Sequence, residues 1–138
     1  MNHMPYIPRH PDAGPKRVLV VDDGITMRLY YRSVLEAQGF VVIEAANGIE
    51  GYEKSLAEPF DLMIVDINMP KMDGYAMLRA IRSDDAVKAV PAVTISTEAG
   101  DRDALKAFEA GANFYLIKPV SPEELIEVAR LMTGAGKS

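Results

Sequence analysis

A short apolar run followed by a helical pattern occurs five times along this chain, and this alternation constrains the fold more than any other feature. The first run, Arg17–Val21, is rich in valine, as expected of a strand that is buried on both faces. Apolar residues spaced three and four apart follow each run and predict amphipathic helices. The alternation predicts a doubly wound α/β fold with five parallel strands, helices on both faces and right-handed crossovers. The predicted strands are 17–21, 40–44, 62–65, 92–95 and 114–117.

Capping signals predict the limits of the helices. The segment Ser121-Pro122-Glu123-Glu124 has the form of a capping box with proline at the first helical position. Gly39 and Gly111 follow the first and fourth helical patterns and are candidates for left-handed C-caps. The predicted starts of the other helices are Asn47, Asp73, and Asp101 or Asp103. The residues predicted to face the core are Ile49, Tyr52 and Leu56 in the second helix, and Ala104, Ala107 and Phe108 in the fourth.

The length of 138 residues suits one domain with one core. We expect a flexible, proline-rich leader at 1–15, a folded domain at 16–133 and a frayed tail at 134–138. Both histidines, His3 and His10, lie in the leader. The folded domain therefore has no histidine for a hydrolase of the Ser-His or Cys-His kind.

Composition excludes further classes of function. The chain has no cysteine, so disulfides, thiol nucleophiles and thiolate metal sites are excluded. The net charge of -5, with lysine and arginine scattered, argues against a nucleic-acid surface. No apolar run approaches the length of a membrane span or of a signal-peptide core. We therefore expect a cytoplasmic monomer that binds neither nucleic acid nor membrane.

Charged and polar residues stand at the ends of the predicted strands. Ligands of open parallel sheets bind outside the carboxyl ends of the strands. If strands one and three are neighbours, three carboxylates crowd one corner and need a cation such as Mg²⁺ among them. A carboxylate beside a metal and a lysine can attack a phosphoryl group directly and form an acyl phosphate. The strand-end residues are Asp22-Asp23, Asp66, Ser96-Thr97 and Lys118-Pro119.

Each of these residues also has a purely structural interpretation. The acidic pair after strand one could form a turn or a helix cap, and Lys118 could be a solvated surface lysine. Ser96 could be an ordinary strand-end hydroxyl, and Tyr115 a packing aromatic. Asp66 is harder to explain in this way, because a carboxylate that ends an apolar strand costs free energy unless it is paired. The agreement of four strand ends favours a functional site.

The strand-end residues lie within longer motifs. These are Val20-Val21-Asp22-Asp23, the run from Asp66 to Gly74, Ser96 after an apolar strand, and the run from Gly111 to Tyr115 that leads into Lys118-Pro119. In this order and spacing they resemble the motifs of response-regulator receiver domains, over positions 16–133. The resemblance implies a flavodoxin-like (βα)5 sheet with strand order 2-1-3-4-5. Within this family, the run from Thr26 to Arg28 is most similar to stand-alone chemotaxis regulators of the CheY kind. We also expect no output domain after residue 133, as in those regulators.

The resemblance implies a role for each acidic residue. Asp66 would be the phosphoacceptor, and Asp23 and Asp66 would ligate Mg²⁺ directly, together with the backbone carbonyl of Asn68. Asp22 would act partly through water. The donor would be a phosphohistidine on the sensor histidine kinase of a two-component system. The domain would not be an enzyme, beyond promoting its own phosphorylation and dephosphorylation.

The resemblance also implies a switch. Lys118, joined to Pro119 by a cis peptide bond, would hold a phosphoryl oxygen, and Ser96 would move to bond the phosphoryl group. Tyr115 would swing from an outward to an inward position. The face made by the fourth helix, fifth strand and fifth helix would then bind a downstream target, for which a flagellar motor switch is a candidate.

Several other functions compete with the signalling switch. A phosphate sink, a kinase-feedback regulator and a receiver that binds without phosphorylation share the fold. A flavin-phosphate binding module would need a loop that binds phosphate after strand one. In this chain Asp22 and Asp23 occupy that position and would repel phosphate. An aspartyl-nucleophile phosphatase would need Asp-x-Asp after strand one. A P-loop ending at 136–138 would need glycine where Leu131 stands.

Overall fold

Five strands and five helices alternate in the computed structural model of the protein, which describes residues 14–69, 71–98 and 100–135. The strands are parallel and lie in the order β2-β1-β3-β4-β5, which confirms the predicted strand order. Most of the predicted leader (1–13) and the end of the predicted tail (136–138) lie outside the described residues. The elements are β1 Arg17–Val21, α1 Ile25–Glu36, β2 Val41–Ala45, α2 Gly48–Ala57, β3 Leu62–Asp66, α3 Gly74–Arg82, β4 Ala92–Ser96, α4 Asp101–Ala110, β5 Phe114–Ile117 and α5 Pro122–Thr133.

The sheet separates two hydrophobic clusters, as a sheet covered by helices on both faces must. One cluster packs α1 and α5 against Val18 and Val20 of β1 and against Leu62 and Ile64 of β3. The other cluster packs α3 and α4 against the opposite face. Because alternate residues of a strand face opposite sides, Asp66 continues the row of Leu62 and Ile64. The carboxylate at the end of β3 therefore belongs to the face covered by α1 and α5.

Side chains cap three of the helices as the sequence predicts. Asn47 Oδ1 accepts a hydrogen bond from the Glu50 N–H, and Asp73 Oδ1 accepts one from the Ala76 N–H, both at 2.9 Å. Ser121 opens α5 with the predicted capping box. The first turns of α2, α3 and α5 are thereby fixed, and with them the loops that lead into these helices.

Two helix limits differ in detail from the predictions. The helix α4 begins at Asp101, as expected, but its N-cap is Gly100, which makes no side-chain capping bond. Gly111 is its left-handed C-cap, as predicted, with φ of 115°. Gly39 is also left-handed, with φ of 90°, but α1 already ends at Glu36 and the glycine belongs to the turn that follows.

The predicted buried stripe of α2 is confirmed for Tyr52, which packs against the core, and is wrong for its other two residues. Ile49 and Leu56 are 45% and 47% exposed, and the buried face consists of small residues, including Gly48 and Gly51. A Cβ atom on Gly48 would lie 2.1 Å from the Met72 carbonyl oxygen, to which the Gly48 N–H donates a hydrogen bond of 3.1 Å. The hydrophobic pattern misplaced Ile49 and Leu56 because α2 packs through close backbone approach, and these two side chains face outward. The helix start therefore rests directly on the loop between β3 and α3.

Phe108 of α4 was also predicted to be buried, yet it is 46% exposed. Its ring packs edge-on against Tyr115 of β5, with the ring centroids 5.8 Å apart. The core-facing residues of α4 are Ala107, as predicted, and Ala110. Bulky side chains thus lie at the edge of this helix, on the surface that α4 shares with β5.

None of the helices among the described residues combines the length and the apolar character that crossing a bilayer requires.

Candidate functional site

Three carboxylates meet at the carboxyl end of the sheet, where β1 and β3 lie side by side. Asp22 and Asp23 follow β1 directly, and Asp66 is the last residue of β3. One carboxylate oxygen from each residue lies within 4.8 Å of those of the other two. Asp22 and Asp66 are only 2% and 3% exposed, while Asp23 is exposed. The structure therefore brings together the acidic residues that the sequence analysis selected.

Asp66 contacts two donors on its own side of the site. Its Oδ1 accepts a hydrogen bond from the Asn68 N–H at 3.2 Å and lies 3.4 Å from Lys118 Nζ. Lys118 follows β5, which is separated from β3 by β4, so its side chain reaches across the end of β4. The Lys118-Pro119 peptide bond is cis, as predicted, and the Lys118 N–H donates to the Ser96 carbonyl at 2.8 Å.

Ser96 ends β4 with its side chain buried. Its Oγ accepts a hydrogen bond of 3.0 Å from the Glu98 N–H, a local turn that fixes the direction of the side chain. A hydroxyl can accept and donate at once, so this bond leaves the O–H free to act as a donor. Tyr115 is half-buried on β5, and its ring contacts Phe108 of α4.

Burial and crowding raise the pKa of two of the carboxyl groups. The pKa of Asp22 is raised mainly by burial, against the Gly24 N–H and Lys118, which lower it. The pKa of Asp66 is raised by burial and next by the charge of Asp22, with Lys118 as the main opposing group. Both shifts have the same physical cause, because a low-dielectric pocket penalises negative charges that lie close together.

The carboxylate of Asp22 provides a test of whether a cation fits this site. Its Oδ1 accepts a hydrogen bond of 2.8 Å from the Gly24 N–H. Its Oδ2 is buried and has no hydrogen-bond partner within the part of the chain that the structure describes. A buried carboxylate oxygen without a donor is unfavourable unless a positive charge approaches it. Oxygen ligands of this kind suit a hard divalent cation such as Mg²⁺.

Two further residues at this site were missed by the sequence analysis. Arg28 of α1 donates from Nη1 to the Asp22 carbonyl oxygen at 2.8 Å, and from Nε to Glu44 at 2.9 Å. The arginine could not be distinguished in the sequence from a solvated helix residue. Glu44 did carry a signal, since a charged residue inside a predicted strand usually needs a partner.

Comparisons with known proteins agree on one family. Residues 18–130 match the family model described as the response regulator receiver domain. The chemotaxis protein CheY1 of Helicobacter pylori is 38% identical over 120 residues, which are 86% of this chain and 97% of that protein.

Solved structures agree with this match. The chemotaxis protein CheY4 of Vibrio cholerae has a TM-score of 0.82 and 32% identity, and the alignment covers 86% of this chain and 99% of that one. The receiver domain of the sensor histidine kinase PA1611 from Pseudomonas aeruginosa has a TM-score of 0.81 and 26% identity, over 88% of this chain and 100% of that one. That structure holds a magnesium ion in its active-site cleft.

Proposed function

The chain belongs to the response regulator receiver domain family, and from this premise we propose that Asp66 accepts the phosphoryl group that switches the domain. The observation that carries the proposal is the position of its carboxylate. Asp66 is buried at the end of β3, 3.4 Å from the ammonium group of Lys118 and beside two further carboxylates. This arrangement places one nucleophile between a positive charge and a set of oxygen ligands.

The contacts of Asp66 indicate which oxygen attacks. Both hydrogen bonds described for its carboxylate go to Oδ1, from the Asn68 N–H and from Lys118 Nζ. We therefore assign the attack to Oδ2. A bond forms between this oxygen and phosphorus while the bond from phosphorus to a phosphohistidine nitrogen of the donor breaks, and the electron pair leaves with the imidazole. No general base is required, because an ionised carboxylate carries no proton to remove.

The same oxygen atoms are suited to a metal ion. Asp23, Asp66 and the Asn68 carbonyl would hold Mg²⁺ directly, and Asp22 would do so partly through water. When bound, Mg²⁺ supplies the positive charge that offsets repulsion between the carboxylates and an incoming phosphoryl group. The unpartnered Oδ2 of Asp22 and the magnesium-containing relative support this part of the proposal.

Lys118 and Ser96 would stabilise the phosphorylated state. The ammonium group of Lys118 already lies beside Asp66 and would pair with a phosphoryl oxygen. The hydroxyl of Ser96 would donate to a second oxygen. Its displacement would make room for Tyr115, whose ring packs on α4 through Phe108. A preference of a few kcal/mol for the switched state is enough to move most of the population.

The signalling surface would be the face formed by α4, β5 and α5. Phe108, Phe114 and Ile117 are exposed there, beside the ring of Tyr115. Receiver domains of this type are signalling switches rather than classical enzymes, and the chain would promote only its own phosphorylation and dephosphorylation. The chemotaxis relatives favour a role in chemotaxis, with a sensor histidine kinase as donor and a flagellar motor switch as a candidate target. A phosphate sink or kinase-feedback regulator is the alternative.

Phosphorylation by a small donor tests the proposed function. In acetyl phosphate with Mg²⁺, the protein is expected to gain the mass of one phosphoryl group, as measured by intact mass spectrometry. Chelation of Mg²⁺ by EDTA should slow this reaction by roughly a hundredfold, because an electrostatic stabiliser of the transferring group is removed. A protein that folds and binds Mg²⁺ but gains no mass would contradict the proposal.

Lys118→Ala is expected to separate metal binding from the response to phosphorylation. The substitution removes the charge that pairs with the phosphoryl group but none of the oxygen ligands. Mg²⁺ affinity, measured by calorimetric titration, should change by less than about threefold, whereas Asp23→Ala should weaken it by about tenfold or more. The phosphorylation-dependent shifts of the β5 amides in NMR spectra should disappear in Lys118→Ala. A loss of Mg²⁺ affinity equal to that of Asp23→Ala would show that this role of Lys118 is wrong.

A further inference from the structure

Arg28 connects the acidic site to strand β2. Its side chain is 14% exposed, and its guanidinium group makes two hydrogen bonds in different directions. Nη1 donates to the Asp22 carbonyl oxygen at 2.8 Å, and Nε donates to Glu44 Oε1 at 2.9 Å. A planar guanidinium group with two bonds of this kind fixes the relative position of its two acceptors.

The two bonds complete a ring. Glu44 lies in β2 beside Ala45, and the carbonyl of Ala45 accepts a hydrogen bond of 3.1 Å from the Asp22 N–H. The ring therefore runs from Asp22 through Arg28 to Glu44 and returns through Ala45. The peptide groups on both sides of Asp22 are therefore fixed by hydrogen bonds, one to Ala45 and one from Arg28. The carbonyl that Arg28 contacts belongs to the peptide bond between Asp22 and Asp23, so it also sets the direction in which Asp23 leaves the strand.

Glu44 is held in its charged form from a second side. Arg32, one turn further along α1, donates from Nη1 to Glu44 Oε2 at 2.9 Å. The pKa of Glu44 is lowered, first by Arg32 and also by Arg28. Arg32 contacts Glu44 and Glu36 but makes no described contact with Asp22 or Asp23. Both arginines bind Glu44, and of the two only Arg28 makes a described bond to the Asp22 carbonyl.

Arg28 is positively charged, so its charge alone disfavours a metal cation at the neighbouring site. A guanidinium group close to a cation site repels the cation, so a purely electrostatic effect of Arg28 would weaken Mg²⁺ binding. A positioning effect would strengthen it, because ligands held in place lose less conformational freedom when the metal binds. The two effects predict opposite results for removal of the side chain.

We propose that Arg28 and Glu44 are a positioning pair. They hold the Asp22-Asp23 peptide so that the Asp23 carboxylate lies beside Asp66 in the position required to bind Mg²⁺. The inference rests on the proposed function of the site, since it concerns the Mg²⁺ ligands. Arg28 touches neither the metal ligand atoms nor the phosphoryl group. It acts through the backbone of the loop that carries them.

The test is calorimetric titration of the full chain with MgCl₂. Arg28→Met is expected to weaken Mg²⁺ binding by about tenfold, the size typical of the loss of an outer contact to a metal ligand. Arg32→Met is the matched control, since it removes the same charge from the same helix and the same glutamate, and its affinity should stay within about twofold. Arg28→Lys should not restore the affinity, because a single ammonium group cannot reproduce the two hydrogen bonds that the guanidinium group donates in different directions.

Glu44→Gln provides a second variant that keeps the shape of the pair. It retains an oxygen acceptor for Arg28 but removes the charge, so a loss of about threefold is expected. Thermal unfolding in EDTA identifies any variant that does not fold. Unchanged or tighter Mg²⁺ binding by folded Arg28→Met, or an equal loss in Arg32→Met, overturns the inference. Absence of Mg²⁺ binding by the native protein would instead overturn the proposed function itself.

Discussion

Replacement of Asp66 by asparagine is expected to abolish the mass increment that acetyl phosphate and Mg²⁺ produce in the native protein. The amide oxygen is a far weaker nucleophile than a carboxylate oxygen and cannot form an acyl phosphate. The amide can still accept hydrogen bonds from the Asn68 N–H and from Lys118, which Asp66 now receives through Oδ1. The fold should therefore persist, and the loss should be complete at any donor concentration that phosphorylates the native protein.

The matched control is Asp73→Asn. Asp73 caps α3 by accepting a hydrogen bond from the Ala76 N–H, and asparagine caps helices about as well as aspartate. This variant carries the same chemical change at an exposed aspartate on the loop that follows β3, and it should gain mass as the native protein does. Phosphorylation that survives in Asp66→Asn would assign the phosphoacceptor to another residue, which peptide mass mapping would then identify.

The fold could be predicted from the sequence because the hydrophobic pattern and the capping residues indicate the same strands and helices. Valine-rich runs form strands that are buried on both faces, and Ser121 forms the capping box that its spacing predicts. The acidic residues were placed correctly for a simple physical reason. Parallel strands end at one edge of the sheet, so Asp22 and Asp66 had to meet once β1 and β3 were neighbours.

The features that could not be predicted depend on contacts between distant elements. Gly48 looks like an ordinary helix-start residue until the Met72 carbonyl is found where a Cβ atom would stand. Phe108 has the spacing of a core residue but packs at a surface edge against Tyr115. Arg28 acquires its role from Glu44, sixteen positions away in the next strand. A periodic pattern reports which side of a helix is apolar, and it does not report how closely the partner approaches.

Asp22→Asn is expected to stabilise the protein in the absence of divalent cations, even though it removes a residue of the proposed metal site. Asp22 and Asp66 are buried together, and Asp22 Oδ2 has no hydrogen-bond partner among the described residues. Asparagine retains the oxygen that accepts from the Gly24 N–H and replaces the unpartnered oxygen by an amide group that can donate to a neighbouring carboxylate. Removing an unpaired buried charge should raise the free energy of unfolding in EDTA at pH 7 by about 1–3 kcal/mol.

The dependence of this gain on pH identifies its cause. Burial raises the folded-state pKa of Asp22 above its ordinary value of 3.8, and the pKa of Asp66 is raised in the same direction. The folded state then holds these protons more tightly than the unfolded chain. The resulting stabilisation is fully present below the unfolded pKa and is lost as the pH rises through the folded pKa. The difference between Asp22→Asn and the native protein should therefore be small near pH 3.8 and grow towards pH 7.

Urea denaturation followed by circular dichroism measures this difference, since the chain has no tryptophan to serve as a fluorescent probe. The control is Asp23→Asn, because Asp23 is exposed and its charge is already solvated. Its effect on stability in EDTA should stay below about 0.5 kcal/mol. Millimolar Mg²⁺ should stabilise the native protein and reduce the advantage of Asp22→Asn, because the cation binds the folded native state more tightly. If Asp22→Asn destabilises the metal-free protein at pH 7, or if its effect does not vary with pH, then repulsion between buried carboxylates is not what the site must overcome, and the main physical reason for placing a cation there is lost.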